Sequence, residues 1–322
     1  MARAGLRVIV IDAREAAAEA SWAGAGMLAP GGEIDTKSEF AAMALRSRRA
    51  YEPFVRDLES ETGFDIDFQQ CGAFELAAND AEMAALERKA TLQQSMGIPS
   101  ESRRWMDFEA RFYPEDAIVD PRQVTAALRT ACLRLGVVLR EHEPAREIAP
   151  DGQWVRTASE TIQDPDGVLI AAGAWSSSLW PALGRTLPVR GHLVSWNLPA
   201  GTLPSIVRHD HTYLLQRRNG TLIAGSSIED VGFDREIDHA IVADIRNRAA
   251  RLLPALAKVE PSGCWLGFRP AVAAAQGMAC APVIGQIGPK LWAAVGHYRN
   301  GILLAPETAR LIAESVLASV GA

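Results

Sequence analysis

Three groups of residues have the types and spacing to do chemistry. The first is Gly5-Leu6-Arg7-Val8-Ile9-Val10-Ile11-Asp12, an apolar run closed by an acid. In a dinucleotide-binding unit such a run is the second strand, and its acid accepts hydrogen bonds from the adenosine ribose. The plainer reading is an acid that merely ends a strand. The second is Arg269, set between Phe268 and Pro270 in a segment too apolar for a solvated guanidinium. A guanidinium can hold a carboxylate through two parallel hydrogen bonds, where an ammonium acts as a point charge. The alternative is an Arg paired with a structural carboxylate. The third is His209-Asp210-His211 followed by Tyr213. Alternation by two puts His209, His211 and Tyr213 on one strand face. Three close residues of one strand rarely complete a metal shell, so no metal is expected. A Tyr in a strand is by default a packing residue.

One motif misleads. Gly24-Ala25-Gly26-Met27-Leu28-Ala29 matches G-x-G-x-x-A, but no strand precedes it and Pro30 follows at once. The pyrophosphate fingerprint requires strand, tight turn and helix in that order, so this stretch is rejected as that loop. Its small residues still allow backbone to approach a ligand closely. No Ser-His-Asp or Cys-His pattern is evident, and chemistry carried by a cofactor needs none.

The elements that must position these residues alternate at first. Val8–Ile11 reads as a buried parallel strand. A helix follows from about Ser38 to Leu58, closing near Gly63, with Pro53 able to kink or split it. Short strands are expected at 65–68 and 74–77, then a helix capped by Asn79 and ending before Gly97. Pro121–Leu135 reads as a helix with Pro in its first turn, Val137–Leu139 as a strand, and Trp154–Ala158 as a weaker one. Val168–Gly173 is a strong strand leading into a Gly turn, and the alternation argues for a parallel sheet. From about Leu187 to Gly267 the texture becomes antiparallel, with strands at 192–196, 213–217 and 221–226. Asn219-Gly220 between the last two is a hairpin signal. Leu291–Val295 and a helix from Gly301 to Val320 return to α/β. The predicted fold is therefore α/β (α+β): a Rossmann-like parallel sheet interleaved with an antiparallel-sheet domain. The expected division is 1–65 with 115–185 and 280–322 for the first, and 66–114 with 186–279 for the second.

Composition sets the outer bounds. The 322 residues carry 33 Lys plus Arg against 39 Asp plus Glu, a formal net charge of −6. That balance, with no polybasic run, argues against nucleic acid. Cys71, Cys132, Cys264 and Cys280 form no C-x-x-C pair, so free thiols and a cytoplasmic setting are expected. The start has no apolar stretch of signal-peptide length. The Ala-rich segment from Pro270 to Val283 is interrupted by Gln276, Gly277 and Pro282, so no integral membrane segment is expected.

Ala20–Pro30 resembles the stretch after the ribose acid in FAD-dependent amine oxidases of the D-amino-acid oxidase superfamily. Gly267-Phe268-Arg269-Pro270 and Gly296-His297-Tyr298-Arg299-Asn300-Gly301-Ile302 resemble its glycine oxidase branch, the enzymes of thiamine biosynthesis. Val119-Asp120-Pro121 and Leu169–Ser176 also match, so the likeness runs from Arg3 to Ala318. It implies FAD as cofactor, and a small amino acid or amine oxidised to imine and keto acid with O2 reduced to H2O2. Arg269 is then the carboxylate anchor, with Tyr213 and His211 beside the substrate. Asp12, Ser21, Gly26 and Met27 are implied to contact the cofactor, with a core Met as the plain reading of Met27. Ala172, Gly173 and Trp175 are implied at its ribityl and phosphate region, and Ala145 at an adenine pocket. His297, Arg299, Asn300, Gly301 and Ile302, with Arg269, complete the implied set at the flavin ring; a plain helix N-cap is the other reading of Gly301. Members of the family begin with a strand and Gly-rich loop. The 322 residues hold none ahead of Gly5, and the expectation is a start assigned downstream of the true one, with Ala2-Arg3-Ala4 as the last turn of the helix after that loop. A D-amino-acid dehydrogenase-type flavoprotein and an inactive, flavin-free truncated chain are the competing readings. Assembly into a homo-oligomer is left open.

Overall fold

Ser38 and Gly63 bracket the longest helix, Glu39–Thr62. The Ser38 hydroxyl accepts from the Ala41 N–H at 3.2 Å, and Gly63 closes the helix in the left-handed conformation at φ 78°. Both are ordinary cap chemistry. Pro53 sits inside the helix without splitting it. Tyr51, Val55 and Leu58 on either side of it are buried in one core with Leu303 and Leu304 of the C-terminal helix Gly301–Ser319. The Tyr51 hydroxyl donates to the Ile302 carbonyl, tying the long helix to the first turn of the last one. The computed structural model describes residues 1–274, 277–279 and 281–320.

The antiparallel region is larger than the sequence reading gives. Nine strands form one sheet in the order Gly277–Ala279, Gly263–Ala274, Thr186–Asn197, Thr221–Gly225, Thr212–Gln216, Ile206–His209, Ala73–Ala77, Phe108–Tyr113 and Glu101–Trp105. Every pairing is antiparallel except Ile206–His209 with Ala73–Ala77. Side chains alternate across it. Val194, Trp196, Leu214, Leu222 and Ala224 pack on one face with Ile245, Ala249 and Leu252 of the helix His239–Leu252. Ala73, Leu193, Ile206, Leu215 and Ile223 pack on the other face with Ala25 and Ala29. The Asn219-Gly220 turn is present, with the Gly220 N–H on the Arg217 carbonyl at 3.0 Å.

The strand placed at 65–68 is Phe68–Gln69. Glu101–Trp105 and Phe108–Tyr113 are strands the reading omits. The first is an edge strand whose Glu101, Ser102, Arg103 and Arg104 are exposed; charge of that kind protects an edge and hides the strand signal. The helix His239–Leu252 lies outside the expected elements, although Asp238 caps its Ala240 and Ile241 N–H groups.

Outside the nine-stranded sheet, two further pairs of strands are parallel among the described residues. Ile9–Ile11 pairs with Val138–Arg140, and Val168–Ile170 with Leu291–Val295. The Leu291–Val295 strand also takes Val283–Gly288 antiparallel. The parallel direction expected for Val8–Ile11 is observed; its burial is not, since Ile9 is 43% and Val10 36% exposed. A run apolar on both faces is buried only with a neighbour on each edge and a layer on each side. Among the described residues this strand has one neighbour. Ala2–Ala4 forms a short 3-10 turn closed by Gly5.

Among the described residues no helix is long and apolar enough to cross a membrane. Cys71, Cys132 and Cys264 are free thiols. Cys280 lies outside the described residues, as do Gln276 within the Ala-rich segment and the last two residues of the chain.

Candidate active site

A cavity of about 2050 Å³ runs from the end of the strand Ile9–Ile11, past Ala171–Ala174, to the inner face of the nine-stranded sheet. Asp12 lies at its far end. Its Oδ1 accepts from the Arg14 N–H at 2.9 Å. Burial raises its carboxyl above the usual carboxylate range, against the lowering effect of that hydrogen bond. Ser21, Gly26 and Met27 line the same cavity. Ser21 belongs to the four-residue helix Ala20–Ala23, and Met27 to a short strand paired with Ile118. Ala145, Ala172, Gly173 and Trp175 line it from the side of the parallel strands.

The helix Gly301–Ser319 starts at this cavity. His297, Arg299, Asn300, Gly301 and Ile302 all line it. Asn300 occupies the N-cap position, but its side chain makes no capping hydrogen bond. The first N–H groups of a helix have no partner within it, and together with the helix dipole they suit an electron-rich ring. The Arg299 guanidinium donates to Glu33 at 2.6 Å and the Asn300 amide to the same carboxylate at 3.3 Å, joining this helix start to Pro30–Glu33. Burial pushes the His297 imidazole down to about 4, and its Nε2 lies 3.0 Å from the Thr308 hydroxyl.

Arg269 enters from the strand Gly263–Ala274 and faces the cavity. Its Nη2 donates to the Ser226 hydroxyl at 2.8 Å and its Nη1 to the Ser227 carbonyl at 3.1 Å. Among the described residues no carboxylate pairs with it, whereas Arg190 and Arg208 each have two and Arg299 has Glu33. The alternative of a structural ion pair is therefore not what is observed. Tyr213 lies beside it, half-buried; burial raises its phenol, against the pull of nearby Arg269. The residues that give these side chains room are glycines. A Cβ on Gly191 would stand 2.2 Å from the Arg269 guanidinium, and one on Gly225 would stand 2.3 Å from the Tyr213 hydroxyl.

His211 lines the cavity, but the shared strand face does not exist. Asp210 and His211 form the turn between Ile206–His209 and Thr212–Gln216, and Asp210 has φ 51°. A turn resets the alternation, so His209 faces Glu82 at 3.0 Å while the His211 side chain is 65% exposed. Among the described residues no group of three His, Cys, Asp or Glu side chains could hold a metal. The sequence reading passed over Ser226, Ser227, Glu33, Gly191 and Gly225. Only the two glycines carried a signal: an isolated Gly within a strand marks close approach.

This fold, with an acid at the end of a parallel strand and a helix start meeting at one cavity, is that of a dinucleotide-dependent enzyme. The chain matches the family described as FAD dependent oxidoreductase over residues 1–315, and it belongs to that family. It is 32% identical to a glycine oxidase of Pseudomonas aeruginosa, across 98% of this chain and 89% of that protein. It is 34% identical to a bifunctional protein ThiO/ThiG of Synechocystis sp., across 97% of this chain but only 48% of that protein, so it spans about half of the bifunctional relative. The crystal structure of a glycine oxidase from Geobacillus kaustophilus superposes with a TM-score of 0.91 at 28% identity, covering 98% of this chain and 90% of that one. FAD is the cofactor of this family, and the residues present fit it. The uncapped start of Gly301–Ser319 offers backbone donors, Asp12 offers a carboxylate, and the cavity joins the two.

Proposed function

We propose that this chain oxidises glycine or another small amine or D-amino acid to the imine, which hydrolyses to the keto acid. FAD, held along the cavity, would supply the hydride acceptor, with O2 as the final oxidant and H2O2 as the second product. Arg269 holds the substrate carboxylate with its guanidinium fork, and Tyr213 donates a second hydrogen bond to it. The N–H groups of Gly301 and Ile302 stabilise negative charge at the ring edge, and Asp12 accepts from the adenosine ribose. Met27 and Ile302 line the ring, Ala145 borders the adenine, and Ala172 with Gly173 allows the backbone to approach the phosphates. His211, exposed on the cavity lining, lies beside the substrate without holding it.

The observation that carries this reading is an Arg inside the cavity with neutral oxygens around it and, among the described residues, no carboxylate paired with it. A cation so placed binds an anion from outside the protein. The division into an FAD-binding domain (1–65, 115–185, 280–322) and a substrate domain (66–114, 186–279) is part of the same proposal, as is supply of the glycine imine to thiamine thiazole synthesis in the cytoplasm. The likeness to the glycine oxidases and to the ThiO/ThiG protein supports that role.

The test is oxygen uptake and H2O2 release by the purified yellow protein with glycine, sarcosine and D-alanine. Turnover of at least one is expected. Reduction of an artificial dye without oxygen uptake would move the reading to a D-amino-acid dehydrogenase. A colourless chain that turns over none of them would defeat it.

A further inference from the structure

The segment from Ser226 to Asp238 has almost no regular structure, yet it supplies two of the three oxygens that accept from Arg269, the third being the Arg190 carbonyl at 3.5 Å. Its far part is held by Phe233, stacked on Trp175 at 4.6 Å, and by Arg235, which reaches Glu19 at 2.7 Å. The part next to Arg269 is held around one carboxylate. Glu229 accepts from Arg190 Nε at 2.9 Å, Arg190 Nη2 at 2.6 Å, the Ser227 hydroxyl at 2.6 Å and His192 Nδ1 at 2.8 Å. The donor roles are fixed by the neighbours. The Asp238 N–H donates to His192 Nε2 at 3.1 Å, so that nitrogen is an acceptor and a neutral ring carries its proton on Nδ1, toward Glu229. The His192 N–H donates to the Ser227 hydroxyl at 2.8 Å, which turns that hydroxyl's own proton to Glu229. Arg190 also reaches Asp234 at 2.6 Å, and its backbone exchanges hydrogen bonds with that of Glu229. The assembly is nearly dry: side-chain exposure is 6% at Arg190, 0% at His192 and 12% at Glu229.

From this we infer that Glu229 is a positioning residue for the substrate-carboxylate anchor. It does not touch substrate. It locks Ser227, and the Ser226 hydroxyl with the Ser227 and Arg190 carbonyls holds the Arg269 fork in one orientation. The inference rests on the reading of Arg269 as anchor. A fork held in one orientation binds a planar carboxylate without first losing its own freedom.

The experiment uses the holoprotein, with acetate as an unreactive carboxylate probe followed by the flavin absorbance change, and glycine kinetics in parallel. Glu229→Gln is expected to raise the acetate Kd and the glycine KM about tenfold, while kcat at saturation and flavin content stay within about twofold. Ser227→Ala, which removes the hydroxyl but keeps the carbonyl, should shift both in the same direction by a smaller factor. Should Glu229→Gln fail to fold, Ser227→Ala decides. Acetate affinity unchanged in the folded variants overturns the inference while leaving the anchor intact. So does a parallel fall of kcat, flavin content and thermal stability, which is the mark of a merely structural contact. Wild-type protein that binds no acetate, or Arg269→Lys that binds it normally, removes the anchor reading and this inference with it.

Discussion

Gly191 lies directly beneath the Arg269 guanidinium: a Cβ built there would fall 2.2 Å from Nη1 and 2.4 Å from Nη2. The two residues are on adjacent antiparallel strands, in which Gly191 pairs with Gly267 and Val189 with Arg269. The guanidinium therefore folds back over the Gly191 backbone to reach Ser226 and Ser227. Gly191→Ala is expected to leave the sheet intact, because the group that must give way is the tip of a long side chain. The fork would be displaced, and glycine KM should rise at least about tenfold with little change in melting temperature. An alanine variant with wild-type KM would show that the fork has no fixed seat.

Replacement of Arg269 by Lys keeps the charge and loses the planar fork. Hydrogen bonds to charged groups contribute about 1.5–3 kcal/mol each, so Arg269→Lys should lower kcat/KM by roughly 10- to 150-fold, chiefly through KM. Steady-state kinetics with glycine checks this, and absorbance should report unchanged flavin content. A fall in kcat alone would place Arg269 on the reacting bond rather than on the carboxylate.

Tyr213→Phe removes one donor and leaves the ring. Burial raises the phenol above its ordinary value, although Arg269 opposes it, so at neutral pH the hydroxyl is protonated and can donate. Loss of that bond should cost about tenfold in kcat/KM for a carboxylate substrate and nothing for a simple amine without one. Equal losses for both substrates would show that Tyr213 only packs.

The chain's local signals were legible where one residue decides one event. Asn79 accepts from a helix N–H as the expected cap, the long helix starts at Ser38 and closes at Gly63 as expected, and Asn219-Gly220 turns its hairpin. Arg269 was legible because a charge in an apolar stretch demands an explanation. The residues around it were not. Glu229 lies 39 positions from Arg190 and 37 from His192, and nothing local in the sequence foretells that the sheet register brings Ser226 and Ser227 to Arg269. The error at His211 has a related cause. Alternation predicts a common face only inside one strand, and the turn at Asp210-His211 falls in a stretch whose residue types do not announce it.

Acid should expose the burial of His297. In an unfolded chain its imidazole ionises near 6.5, whereas burial in the folded protein holds it neutral down to about 4. As pH falls below 6.5 the unfolded state takes up the proton first. The stabilisation from His297 is thus fully present above pH 6.5 and is lost progressively as pH drops from 6.5 toward 4. The whole interval corresponds to about 3 kcal/mol, and the part lost by pH 5 to about 2 kcal/mol. His297→Gln keeps a polar group within reach of the Thr308 hydroxyl but cannot titrate. Urea unfolding of both proteins at pH 7.5 and pH 5 measures the difference: acidification should destabilise the wild type by about 2 kcal/mol more than the variant. Equal losses would mean that His297 is protonated in the folded protein well above pH 4, and that the wall it forms beside the helix start is wetter than its packing implies.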